Sequence, residues 1–198
     1  MATQSQPPPK DYAALPPNLP VPQDDGGAAH LPSRPVPASI SLRATTGAEV
    51  DLHAASLERP VLVFVYPRTG LPGVPDPDGW DDIPGARGCT PELCAVRDSI
   101  TALLTLAPNL AIFALSTQPT AYQKEVAERL HLPYPILSDE GRALAGGLEL
   151  PTFEAGGEVL LKRITILVRG GVVVGVNYPV FPSDQAAKLA EQLLNGPS

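Results

Sequence analysis

The chain has 198 residues, 25 of them proline, and ten of those prolines fall in residues 7–37 and four in 72–84. Two proline-rich segments are thus joined to an otherwise ordinary globular composition, long enough to bury a core. Fourteen basic against 21 acidic side chains leave a net charge of −7, which lacks the basic footprint that would neutralise phosphates and speaks against nucleic-acid binding.

Residues 1–38 are rich in Pro, Ala and Gly and poor in β-branched and aromatic side chains, so they read as a disordered or polyproline II tail. A globular domain is expected over 39–198. It opens with a β-hairpin, Ile40–Leu42 and Val50–Leu52, around Thr46-Gly47. After Pro60, VLVFVY (61–66) is a continuous apolar run of the kind found in strands buried on both faces, and LAIFAL (110–115) is a second. Between them Leu93, Val96, Ile100, Leu103 and Ala107 step by three and four, as on an amphipathic helix that Pro108 ends. Thr90-Pro91-Glu92 is expected to open that helix, with a capping hydroxyl, a first-turn proline and an acid. Strand, helix, strand makes a right-handed βαβ unit with parallel strands. A second helix follows Pro119, then a short strand at 135–137, a short helix over 139–147, two strands (163–168 and 172–177) around Gly170-Gly171, and a last helix from Ser183. That order is the thioredoxin-like α/β architecture, a mixed central sheet flanked by helices.

The longest apolar run, Val61–Tyr66, is too short to span a bilayer, and the first residues lack an apolar signal segment. A cytoplasmic protein with no membrane contact is expected. Cys89 and Cys94 are too few for a disulfide scaffold or a structural zinc site. Cys89 lies where a loop enters a helix, and the positive helix end with its free N–H groups favours a thiolate there. Cysteines are more often buried small hydrophobes, but this position and the nearby second thiol reverse that expectation. Residues five apart on an intact helix are separated by ~8.6 Å between Cα atoms. A disulfide needs less than ~7 Å, so the pair can close only if the first turns unwind. The spacing is also not the C-x-x-C of thiol-disulfide oxidoreductases.

The segment GCTPELCAVRDS (88–99) resembles the active-site helix of peroxiredoxins of the bacterioferritin-comigratory, or Q-type, branch. Tyr66-Pro67 is similar to the family's Tyr-Pro at the end of the first core strand, RITILV (163–168) to its Arg-x-Thr-Phe strand, and YPILSD (134–139) to its Pro-x-Leu-Ser-Asp segment. The likeness spans about residues 40–195. It implies a thiol peroxidase acting on hydrogen peroxide or organic hydroperoxides. Cys89 would be the peroxidatic and Cys94 the resolving cysteine of one intramolecular disulfide, with Arg163 facing the thiolate. Pro67, Thr69 and Glu92 would be supporting residues, and Arg97, like Glu92, would position the active-site helix. Lys162 is expected on the opposite face of the strand from Arg163. The resemblance further implies reduction by thioredoxin or a similar dithiol, a monomer, and no metal or other cofactor. Two rival readings are a redox-sensing module with little turnover and a thiol-disulfide reductase.

The chain departs from the family pattern between Thr69 and Cys89, where residues 70–88 form a long insertion. Ala86 stands where the family has a threonine three residues before the cysteine, so Thr69 folding back, or a backbone group, would have to supply that hydrogen bond. The insertion carries Asp76, Asp78, Asp81 and Asp82 against Arg87, a set that reads as a solvated, proline-stiffened loop rather than a calcium site. Trp80, the only tryptophan, is expected to lie on an apolar surface, at the active-site mouth.

Overall fold

The computed structural model describes residues 15–196. Along the chain these form β1 (Leu42–Ala44), β2 (Glu49–Val50), α1 (Leu52–Glu58), β3 (Val61–Val65), α2 (Cys89–Leu106), β4 (Ala111–Ser116), α3 (Thr120–Arg129) and β5 (Ile136–Ser138). There follow α4 (Ala143–Leu148), β6 (Thr152–Ala155), β7 (Glu158–Leu161), β8 (Ile164–Arg169), β9 (Val172–Asn177) and α5 (Ala186–Asn195). One sheet runs in the order β2-β1-β5-β4-β3-β8-β9, and β6 and β7 pair separately. β3 lies parallel to β4, from Val61 opposite Ala111 to Val65 opposite Leu115, and antiparallel to β8, with Val65 opposite Ile164. The expected βαβ unit and the 163–177 hairpin are therefore present, within a thioredoxin-like fold.

The apolar run at 61–66 is continuous because both faces of β3 are covered. Val61, Val63 and Val65 enter one core with Ile164, Ile166 and Val168, while Leu62, Phe64 and Tyr66 enter the other with Cys89, Leu93 and Val96. Each large apolar side chain fully removed from water contributes about 1.5–3 kcal/mol before chain entropy is counted. With both faces used, β3 is held from both sides, and its Leu62, Phe64 and Tyr66 pack beneath the start of α2.

Several boundaries differ from the expectations. The N-terminal hairpin pairs Leu42 with Val50, and Leu52 belongs to α1, whose N-cap is Asp51 accepting from the Ala54 N–H. The α1 helix has only Leu52 and Ser56 buried, too sparse a pattern to announce itself. The β6–β7 hairpin turns on Gly156-Gly157, both at positive φ. The chain before residue 39 departs furthest. Expected to be a disordered tail, it is packed over residues 15–38, with Leu31 and Val36 buried in the core beside β9, and residues 1–14 lie outside the described residues. Backbone bonds account for this placement where composition did not. Ser33 donates to Val173, Val173 to Arg34 and Val36 to Gly171, so the segment runs against β9. Lys162 and Tyr178 both bind Asp25, which holds its carboxyl well below the usual range.

Candidate active site at the start of α2

The α2 helix begins at Cys89 itself. Its N-cap is Gly88 at φ 110°, not Thr90, and no side chain caps the first turn. Glycine is required here on two counts: the left-handed φ, and a Cβ that would fall 2.2 Å from Ser183 Oγ. Cys89 is thereby held at the helix's positive end, only 4% exposed.

Arg163, between β7 and β8, reaches this end from across the sheet. Its Nη2 donates to Cys89 Sγ at 3.2 Å and to the carbonyls of Gly85, Ala86 and Arg87 at 3.2–3.4 Å. Its Nη1 forms a buried ion pair with Glu92 in the first turn of α2. The guanidinium thus bridges the thiol and a carboxylate, binding both to the incoming loop. Lys162 turns away to Asp25, as strand alternation requires.

The electrostatics follow from burial and this triad. Burial pushes the Cys89 thiol up, the Arg163 guanidinium pulls it down, and the Glu92 carboxylate pushes it up again, for a net rise. Burial also lifts Glu92 to about 7 against the pull of Arg163. One cation faces two potential anions, so the thiolate is best compensated when Glu92 holds a proton. The backbone N–H of Arg68 also favours the thiolate.

The Thr69 hydroxyl donates to Gln118 Oε1 at 3.1 Å, and the Thr69 carbonyl accepts from Tyr122 and Gln118. Thr69 lines the same small space as Cys89, but its hydroxyl is bonded to Gln118 and not to the sulfur. The Ala86 carbonyl, 3.6 Å from Sγ, accepts from the thiol and so cannot donate to a thiolate; the backbone group that does so is the Arg68 N–H. Pro67 is buried between β3 and Arg68. Cys94 is half-buried on α2, and both cysteines are free thiols. Burial pushes the Cys94 thiol up, with nearby Arg97 opposing. Arg97 ties α2 to the end of α3 through the Leu130 carbonyl at 2.8 Å.

The insertion is folded onto the site. Trp80 is 4% exposed, packed with Ala86, Ala155 and Leu160, and its ring lies 6.1 Å from that of Phe153. The Arg68 guanidinium sits over it at 5.9 Å. Two of the four aspartates are not free in solvent: Arg87 pairs with Asp76 at 2.9 Å and Asp81 at 3.4 Å. Sequence reasoning missed this pair and the role of Gln118. The single cation among four acids was the available signal for the first, and nothing in the sequence marked the second.

Fold and site together define a thioredoxin-like protein built around one cysteine at a helix start facing an arginine. The chain belongs to the redoxin family, whose model matches residues 32–194. It is 26% identical to "Peroxiredoxin Q, chloroplastic" of Oryza sativa subsp. japonica over 74% of this chain and 70% of that protein. The Gentiana triflora protein of the same name is 29% identical over 70% of this chain and 55% of its own length. Among solved structures, peroxidoxin BcpB from Mycobacterium tuberculosis superposes with a TM-score of 0.65 at 25% identity, covering 84% of this chain and 97% of that one. A Xanthomonas campestris peroxiredoxin Q structure gives 0.64 at 17% identity over 84% and 96%, a likeness of fold. Within the redoxins, these likenesses support the Q-type, bacterioferritin-comigratory branch of peroxiredoxins.

Proposed function

We propose that the protein is a Q-type peroxiredoxin, a thiol-dependent peroxidase, in which Cys89 is the peroxidatic and Cys94 the resolving cysteine. The observation that carries the reading is the Arg163 guanidinium 3.2 Å from a thiol at the first residue of α2. The Cys89 thiolate attacks one peroxide oxygen, an S–O bond forms, and the O–O bond breaks. The sulfur is oxidised by two electrons to sulfenic acid. The leaving oxygen takes a proton and departs as water, or as an alcohol from an organic hydroperoxide. Arg163 holds the anion beforehand and offers its donors to the peroxide.

The start of α2 then unwinds and the Cys94 sulfur displaces the sulfenic oxygen as water, leaving a Cys89–Cys94 disulfide. A dithiol of the thioredoxin type reduces it by exchange. Pro67, Thr69 and Glu92 act as positioning residues. Gln118 and Tyr122 secure the Thr69 loop, and Glu92 orients Arg163. The protein works as a cytoplasmic monomer. Among the described residues no helix is long and apolar enough to cross a membrane. The domain proper is taken to begin near residue 39, with the preceding segment strapped to it.

One observation favours a second reading, a redox sensor with slow turnover: the net upward push on the Cys89 thiol, with a carbonyl rather than a hydroxyl on the sulfur. Peroxide consumption coupled to thioredoxin and its reductase separates the two. The peroxidase consumes many equivalents per chain and Cys89→Ser consumes none; a single equivalent per chain supports the sensor.

A further inference from the structure

We infer that the insertion makes this enzyme selective for hydrogen peroxide over bulky organic hydroperoxides, with Trp80 as the specificity-determining residue. This rests on the peroxidase reading above. The space at Cys89 amounts to about 10 Å³, walled by Arg68, Thr69, Asp76, Trp80, Arg87 and Thr90. That is room for about one water-sized molecule. Hydrogen peroxide, two oxygens that each carry one O–H donor and acceptor lone pairs, is the smallest peroxide and needs the least widening. A hydroperoxide carrying a tertiary carbon or a phenyl ring needs the wall itself to move.

The wall is fixed by contacts on its far side. Trp80 is backed by Phe153, Ala155 and Leu160, and is 4% exposed. Arg87 and Asp76 are paired at 2.9 Å with side chains only 8% and 6% exposed, so displacing either breaks a buried ion pair. Two of the three charged wall residues, Asp76 and Arg87, belong to the insertion, and such a wall suits a small polar substrate rather than an alkyl group. A larger, mainly apolar cavity of about 330 Å³ lies nearby, with Ile83, Phe153 and Val180 in its lining. Arg163 and Gly85 border that cavity but Cys89 does not, so an alkyl group seated there lies outside the small space that Cys89 itself lines.

The test measures second-order rate constants for first oxidation of Cys89 in a Cys94→Ala background, by quenched-flow intact mass, with hydrogen peroxide, tert-butyl hydroperoxide and cumene hydroperoxide. Expected is a preference for hydrogen peroxide over cumene hydroperoxide of ~100-fold, the scale on which misplacing reacting atoms acts. Trp80→Ala removes the aromatic wall and should cut that preference at least ~10-fold, because the space left admits a ring. Should Trp80→Ala fail to fold, Trp80→Leu, which keeps an apolar contact with Ala155 and Leu160, should cut it in the same direction by less. Equal rates for all three peroxides in the parent, or a preference unmoved by the folded variant, would overturn the inference while leaving the peroxidase intact. No reaction with any peroxide would refute the peroxidase reading, and the inference with it.

Discussion

Replacing Arg163 by Met removes the one cation on Cys89 while keeping an apolar chain of similar reach. The guanidinium nitrogen lies 3.2 Å from Sγ, and its delocalised charge is centred slightly further away. At ~4 Å and an effective dielectric of ~20, the attraction is about 4 kcal/mol, or roughly three pKa units. Part of this is returned. Glu92, robbed of its only cation, takes up a proton, and its own upward push on the thiol vanishes. That push is the smaller of the two, since the carboxylate sits beyond the guanidinium, so the thiol should rise by ~1–2 units net. Each unit costs tenfold in thiolate at neutral pH, and the rate should fall by ~10–100-fold before any loss of peroxide binding. Ultraviolet thiolate titration of Arg163→Met in a Cys94→Ala background, where Cys89 alone titrates, reads the shift directly. A pKa that stays put or falls would refute the electrostatic account and leave Arg163 a purely structural tie to the 85–87 carbonyls.

Glu92→Gln should move the same titration the other way: the neutral amide keeps an oxygen for Arg163 but no longer opposes ionisation, so the Cys89 pKa should drop, as checked by thiolate absorbance. In the parent the oxidation rate should climb with pH through a thiol pKa above the ordinary cysteine value, because burial raises it and only the thiolate attacks; stopped-flow oxidation across pH gives the profile. Cys94→Ala should react once with peroxide, lose thioredoxin-coupled turnover and pass more readily to sulfinic acid, whereas the parent should lose two hydrogens by intact mass on oxidation. Trp80 fluorescence should change on oxidation and return with dithiothreitol, since unwinding at Cys89 must disturb the loop that packs Trp80 on Ala86; a flat signal while the disulfide forms would make the insertion independent of the redox step.

The sequence makes legible what is local and periodic. Val61–Tyr66, the 93–107 helical pattern and the Gly170-Gly171 turn each declare themselves within a few residues, and they are the elements that carry Cys89 and Arg163. Contacts formed across the chain are different in kind. Glu92 and Arg163 are 71 residues apart, and only a shared motif brought them into one reading. That the Thr69 hydroxyl goes to Gln118, 49 residues on, had no signature at all. Thr90 fits a capping pattern by residue type, yet the helix already begins at Cys89, and its N-cap Gly88 is held by a φ and a close contact with Ser183 that residue type alone does not announce. Residues 15–38 were misread for a physical reason: composition measures the apolar surface a segment brings, and this one is anchored largely by its backbone.

That anchoring bears on assembly. The last strand of a sheet ordinarily offers a row of unpaired N–H and C=O groups to any passing strand. Here β9 is the last strand, and Ser33, Arg34 and Val36 occupy the outer groups of Val173 and the Gly171 carbonyl at its start, with Pro35 set against Val172 at a position that donates nothing. The chain therefore covers the start of this edge of its own sheet. A second copy cannot pair its edge with the start of β9 without first peeling the strap away, and a strap-deleted protein would expose that stretch as a ready template for edge-to-edge association.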